Sequence, residues 1–162
     1  MEALLERVES HLAIQFSEAV QEPGHRVFAA AGALGLEGIV SKRVAGRYES
    51  GRSREWLKTK CMTEGEFVVV GVEPNPGGPP FALLARQTET GLSYAGSAFV
   101  TLPQAERDAF WEATELLKIK APVVPDIGGA KASFLKPILR VKAKHLRGGE
   151  TLRHASLVEL LV

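Results

Sequence analysis

Residues 35–61 read GLEGIVSKRVAGRYESGRSREWLKTKC. Two short apolar segments, 36–42 and 56–60, flank a connection, 46–54, in which glycine and serine sit among charges with no apolar period. That is the pattern of two strands and a loop. Side chains of an extended chain alternate between faces. Glu37, Ile39 and Ser41 therefore share one face of the first strand, and Gly38, Val40 and Lys42 the other. On the second strand Trp56, Lys58 and Lys60 project together, opposite Leu57 and Thr59, so two lysines at i and i+2 point the same way. Between 42 and 60, Lys42, Arg43, Arg47, Arg52, Arg54, Lys58 and Lys60 face only Glu49 and Glu55, in a chain whose net charge is +1. This local excess makes an anion site.

Toward the N-terminus, Leu4, Leu5, Val8 and Leu12 fall at helical spacing with acids between them, an amphipathic helix over 1–12. Ile14 and Phe16 alternate with polar residues as a brief strand. After Pro23 and Gly24 an alanine-rich helix over 25–34 ends at Gly35. Toward the C-terminus the spacing predicts strands over 67–72, 81–87 and 92–99, with a turn-rich loop at 73–80. A helix over 103–117 follows, with proline in its first turn and Phe110, Trp111, Thr114 and Leu117 on its core face. Beyond an irregular stretch holding Pro122, Pro125, Gly128 and Gly129 come two more strands, 135–145 and 152–160.

The class is α+β. Three strands, a helix and two strands fit a five-stranded, partly open barrel of the oligonucleotide-binding type with one helix; a sheet packed by one helix is the other arrangement this order allows. The polar run MTEGE at 62–66 marks the expected boundary between the two parts, at 61–65.

With 162 residues, 45% hydrophobic and 24% charged, the chain has the composition of an ordinary globular protein and the length for a sizeable core. Its one cysteine, Cys61, excludes an intramolecular disulfide and a cysteine-rich zinc site. No apolar run reaches membrane-spanning length and no signal segment opens the chain, which reads as cytoplasmic with no membrane partner. A second basic segment, 131–153, sets Lys131, Lys136, Arg140, Lys142, Lys144, Arg147 and Arg153 against Glu150 alone. Brought together, the two basic segments would line one groove for a nucleic acid.

Paired lysines beside a carboxylate suit a phosphate chain with a divalent cation, since ammonium groups neutralise phosphoryl oxygens and the carboxylate holds the metal. The same residues equally suit the solvated face of an edge strand, with Glu37 capping a turn. Composition does not choose between the two.

The run LEGIVSKR followed by YESGRSREWLKTKC resembles the fourth and fifth nucleotidyltransferase motifs of ATP-dependent DNA ligases, in particular the bacterial end-joining ligase module. FVVVGVEP and LRHASL are similar to stretches of that family's OB-fold domain, so the resemblance runs along the C-terminal portion of such a ligase. It implies that 1–61 is part of an adenylation (nucleotidyltransferase) domain, 62–65 a hinge and 66–162 an OB-fold DNA-binding domain. It implies sealing of nicked double-stranded DNA in repair, through enzyme–AMP and DNA-adenylate intermediates, with ATP as AMP donor and Mg²⁺. By position, Glu37 is the acidic, metal-side residue of the fourth motif and Lys42 the basic, cofactor-binding residue that closes it. Lys58 and Lys60 are the fifth-motif lysines on the ATP or adenylate phosphate. Arg43, Arg47, Arg52 and Arg54 are expected on the DNA backbone, because guanidinium groups bind phosphate without sequence choice. Trp56 is expected to pack at the strand entrance, and His154 to be structural. The family's Lys-x-Asp-Gly motif, whose lysine takes the AMP, does not occur in the sequence, nor does its closing Arg-x-Asp-Lys-like motif. The resemblance thus implies a separate chain supplying the remaining adenylation portion. The alternative is a non-catalytic OB-fold DNA-binding module.

Overall fold

An uninterrupted apolar run such as 67–72 has two faces to bury, and the fold gives it two cores. The computed structural model describes residues 18–125, 127, 129 and 131–161; the helix expected over 1–12 and the strand at 14–16 lie outside them. The elements are α1 (Gly24–Ala33), β1 (Gly38–Lys42), β2 (Trp56–Lys60), β3 (Met62–Glu73), β4 (Phe81–Thr88), β5 (Gly91–Phe99), α2 (Gln104–Leu116), β6 (Lys118–Ile119), β7 (Ser133–Leu135), β8 (Arg140–Leu146) and β9 (Ala155–Leu161). On β3, Phe67 and Val69 join Ala82, Leu84, Ala98, Val141 and Leu157 in one buried cluster. Val70 joins Leu83, Ala85, Val124 and Ile127 in another. A strand covered on both sides is apolar at consecutive positions, which is why 67–72 does not alternate.

β1 and β2 form a two-stranded antiparallel sheet, and the other seven strands form a second sheet in the order β4-β5-β9-β8-β3-β7-β6. β3 pairs with β8 from Met62 to Val68 and with β4 from Val68 to Glu73. The five strands β3, β4, β5, β9 and β8 therefore return on themselves, with β5 and β9 parallel and the other pairs antiparallel. α2 delivers Phe110, with no exposed surface, to the larger cluster. A buried side chain of that size stabilises by roughly 1.5–3 kcal/mol relative to leaving it in water.

The structure corrects the sequence reading at three places. The large sheet holds seven strands where five were expected. One of the extra strands, β6, is too short to show a period. The other, β7, arises because the strand expected over 135–145 breaks: Pro137 has no N–H to donate, and the chain turns there, with the Ile138 amide on the Lys136 carbonyl at 2.8 Å. The polar run at 62–66 is the first half of β3 and not an irregular link. Glu64 pairs with Lys144 and Glu66 with Lys142 across the ladder, and opposite charges facing each other support a strand whose outer side meets water. The last strand begins at Ala155, because His154 takes a φ of 52° and turns the chain just before it. Among the described residues no helix is long and apolar enough to cross a membrane.

Candidate functional site

The register of β1 on β2 sets Gly38 opposite Lys60, Val40 opposite Lys58 and Lys42 opposite Trp56. Cross-strand partners share a face, so strict alternation would leave Glu37 on the far side from both lysines. Instead Lys58 Nζ donates to Glu37 Oε1 at 3.0 Å. The alternation breaks at Gly38, whose φ is 155°. A Cβ there would lie 2.2 Å from the Thr59 carbonyl oxygen and 2.8 Å from the Lys60 Cα, so only glycine lets the two backbones approach this closely. The Cys61 amide then closes the end of the pair on the Glu37 carbonyl at 2.7 Å.

A second cation reaches Glu37 from the large sheet. Arg153 Nη1 lies 3.7 Å from Glu37 Oε2. Arg153 sits in the β8–β9 connection, which is pinned by the Leu146 amide on the Arg153 carbonyl (3.0 Å) and the Leu152 amide on the Ala95 carbonyl (2.7 Å). Gly96, at φ 126°, makes the second contact possible, since a Cβ there would sit 3.0 Å from the Leu152 backbone nitrogen. In the same connection the Arg147 amide donates to the Cys61 carbonyl at 3.3 Å, and its guanidinium donates to the carbonyl of Gly32 in the last turn of α1. Carbonyls of a helix's last turn lack intrahelical partners and favour a cation. Arg147 and Arg153 thus dock the β8–β9 connection onto α1 and β1. Sequence reasoning had not placed either at the site; their only signal was membership of the second basic segment.

The Glu37 carboxyl is held below its ordinary value of 4.5, first by the hydrogen bond from Lys58 and then by that ammonium's charge, with Arg153 and Lys60 adding to it. An ionised carboxylate therefore sits against Lys58 and Arg153 and within the field of Lys60. The Lys58 side chain is 55% exposed, so an anion can reach it from solvent. For a divalent cation Glu37 offers a single carboxylate, and no three His, Cys, Asp or Glu side chains converge among the described residues. Oε1 is taken by Lys58, so Oε2, which has only Arg153 at 3.7 Å, is the atom that would hold Mg²⁺, with the remaining ligands from water and substrate phosphates.

The other expected site residues lie along the connection between β1 and β2. Arg43, Arg47, Arg52 and Arg54 line one concave surface together with Glu49, Ser53 and Glu55. Arg43 is already paired, its Nη1 3.0 Å from Glu55 Oε1. Lys42 does not join the Glu37 cluster: its Nζ sits 4.3 Å from the Trp56 ring centroid. Trp56, expected as packing, keeps 45% of its surface exposed.

Over 138 residues the chain is 34% identical to the multifunctional non-homologous end joining protein LigD of Pseudomonas aeruginosa, a match covering 81% of this chain. Most of the chain is thus similar to a portion of LigD. The crystal structure of the ligase domain from M. tuberculosis LigD superposes with a TM-score of 0.55 at 24% identity, over 85% of this chain and 48% of that one. A mycobacterial DNA ligase D complexed with ATP and MES superposes with a TM-score of 0.51 at 26% identity, over the same shares. No family model matches the chain. It spans 16% of the length of the Pseudomonas LigD and about half (48%) of each mycobacterial ligase chain.

Proposed function

We propose that this chain is a portion of an ATP-dependent DNA ligase of the LigD type, contributing part of the phosphate-binding site and a DNA-binding surface to the sealing of nicked double-stranded DNA. The observation that carries this is the Glu37–Lys58 contact at 3.0 Å beside Lys60 and Arg153. In nucleotidyl transfer, negative charge builds on phosphoryl oxygens, and fixed ammonium groups stabilise it at the moment it develops. Lys58 and Lys60 take the phosphate of ATP or of the adenylate, while Lys42, over Trp56 at the other end of the strand pair, stands apart from them. Glu37 orients Lys58 and offers an oxygen to Mg²⁺, which when bound neutralises phosphate charge.

The ring β3-β4-β5-β9-β8, with α2 between its third and fourth strands, supports reading 66–162 as an OB-fold and 1–61 as part of an adenylation domain. The boundary between the two falls at Cys61, because 62–65 are held in the ladder with β8. The outer side of β3 and β4 is covered by Val124 and Ile127. DNA contact is therefore assigned to Arg43, Arg47, Arg52 and Arg54 and to the β8–β9 connection, one of the loops such barrels use. The setting is a cytoplasmic, end-joining repair reaction.

The experiment is nicked-duplex binding across a salt series. Each phosphate contact contributes about 0.9 to the slope of log K against log salt, so Arg52→Ala/Arg54→Ala should flatten the slope by about 2. Salt-independent or undetectable binding removes the DNA assignment. The four arginines on one concave surface would equally serve a second reading, a non-catalytic OB-fold DNA-binding module. Addition of a chain carrying a Lys-x-Asp-Gly motif separates the two: the ligase reading expects nick sealing in the mixture, the module reading binding alone.

A further inference from the structure

Tyr48 and Trp56 are large aromatic side chains left 79% and 45% exposed on a segment otherwise made of glycine, serine and charges. Their rings meet edge to face, centroids 6.0 Å apart at 67°. Together with Glu49, Gly51, Arg52 and Ser53 they line a concavity adjoining the surface that carries the four arginines, of which Arg52 belongs to both. Trp56 is not free to swing. Its backbone is in the β1–β2 ladder, and Lys42 from the facing position sits over its ring at 4.3 Å.

We propose that this concavity is a stacking site for an unpaired nucleotide at a break in DNA, the base stacked on the Tyr48 ring with its edge toward Trp56, whose ring stands at 67° to Tyr48, and its phosphate on Arg52. The inference rests on the DNA-binding reading above and deepens it by naming which part of the DNA the loop takes. Every nucleobase has a face that stacks on an aromatic ring, and a guanidinium beside that ring meets the adjoining phosphate. A base inside an intact duplex has both faces occupied by its neighbours, so this site takes one that a gap or overhang has released. Charge complementarity points to a polyanion, since the loop carries four arginines against Glu49 and Glu55 and Glu55 is already bound to Arg43.

The test uses the whole chain with Trp111→Phe, so that Trp56 is the only tryptophan, and compares a nicked duplex with the same duplex bearing a short single-stranded overhang. Binding is followed both by anisotropy of the labelled DNA and by Trp56 emission. The expected result is that the overhang DNA binds more tightly than the nicked duplex and quenches Trp56. Tyr48→Ala should weaken overhang binding by about tenfold, within the range measured for base stacking, and Tyr48→Phe should restore it. Anisotropy showing overhang binding that leaves Trp56 emission unchanged and is indifferent to Tyr48→Ala overturns the stacking site while leaving DNA binding in place. Failure of every DNA to bind removes the DNA-binding reading and this inference with it.

Discussion

Gly38→Ala is the substitution that bears most sharply on how the fold makes the site. The new Cβ would meet the Thr59 carbonyl oxygen at 2.2 Å and the Lys60 Cα at 2.8 Å, far inside the roughly 3.5 Å at which non-bonded carbons rest. Both obstacles are backbone, so no side-chain rotation relieves them. Holding a non-glycine residue at φ 155° costs of order 1–3 kcal/mol, and separating the strands forfeits one or two ladder bonds at about 0.5–1.5 kcal/mol each. The total is about 1.5–6 kcal/mol. It falls on a small unit: a two-stranded sheet is marginal by itself, and between residues 24 and 61 only Ala31 and Cys61 are buried hydrophobic side chains. Hydrogen exchange of the β1 and β2 amides should therefore accelerate by at least about tenfold, while the amides of β3, β4 and β8 keep their protection. Unchanged exchange across β1 and β2 would refute the claim that Gly38 is what brings Glu37 to the lysines.

Phe110→Ala should destabilise the barrel by about 3–5 kcal/mol, a fall of at least about 12 °C in Tm by calorimetry, because Phe110 has no exposed surface in the larger core. In Lys58→Ala the Glu37 carboxyl should titrate closer to its ordinary value of 4.5, read by carboxyl-carbon NMR, since Lys58 is the first cause of its depression. A carboxyl depressed in the folded state adds stability above its ordinary value and loses it as pH falls through the folded value. Any acid loss due to Glu37 thus falls below about pH 4.5 and is absent in Glu37→Gln. Arg147→Ala/Arg153→Ala should speed exchange at the end of α1 and the start of β1 without moving the barrel's Tm, because those two side chains make the contacts with Gly32 and Glu37.

What was legible in the sequence follows from how local its cause is. β2 stands at Trp56–Lys60 as read, because alternation and its flanking glycines, serines and charges are all within a few residues. The helix ending before Gly35 and the helix carrying Phe110 were legible for the same reason. Glu37 beside Lys58 was legible only as two residues of the right types. Their meeting depends on a backbone reversal at Gly38 that alternation argues against. Arg153 could not be seen at all, since it reaches Glu37 through the packing of Leu152 on Gly96, a contact between residues 56 apart in sequence. The strand character of 62–66 was hidden by its glutamates, whose partners on β8 are some 80 residues away.

If the proposed site works as described, Lys58 and Lys60 receive the phosphate of an adenylated nick. The most direct measurement is the affinity of the chain for a nicked duplex carrying AMP on its 5′-phosphate, against the same duplex without the AMP. The adenylated nick should bind more tightly, with that preference lost in Lys58→Ala/Lys60→Ala while affinity for the plain nick changes far less. Equal affinity for the two duplexes, or a preference that survives the double substitution, would contradict it.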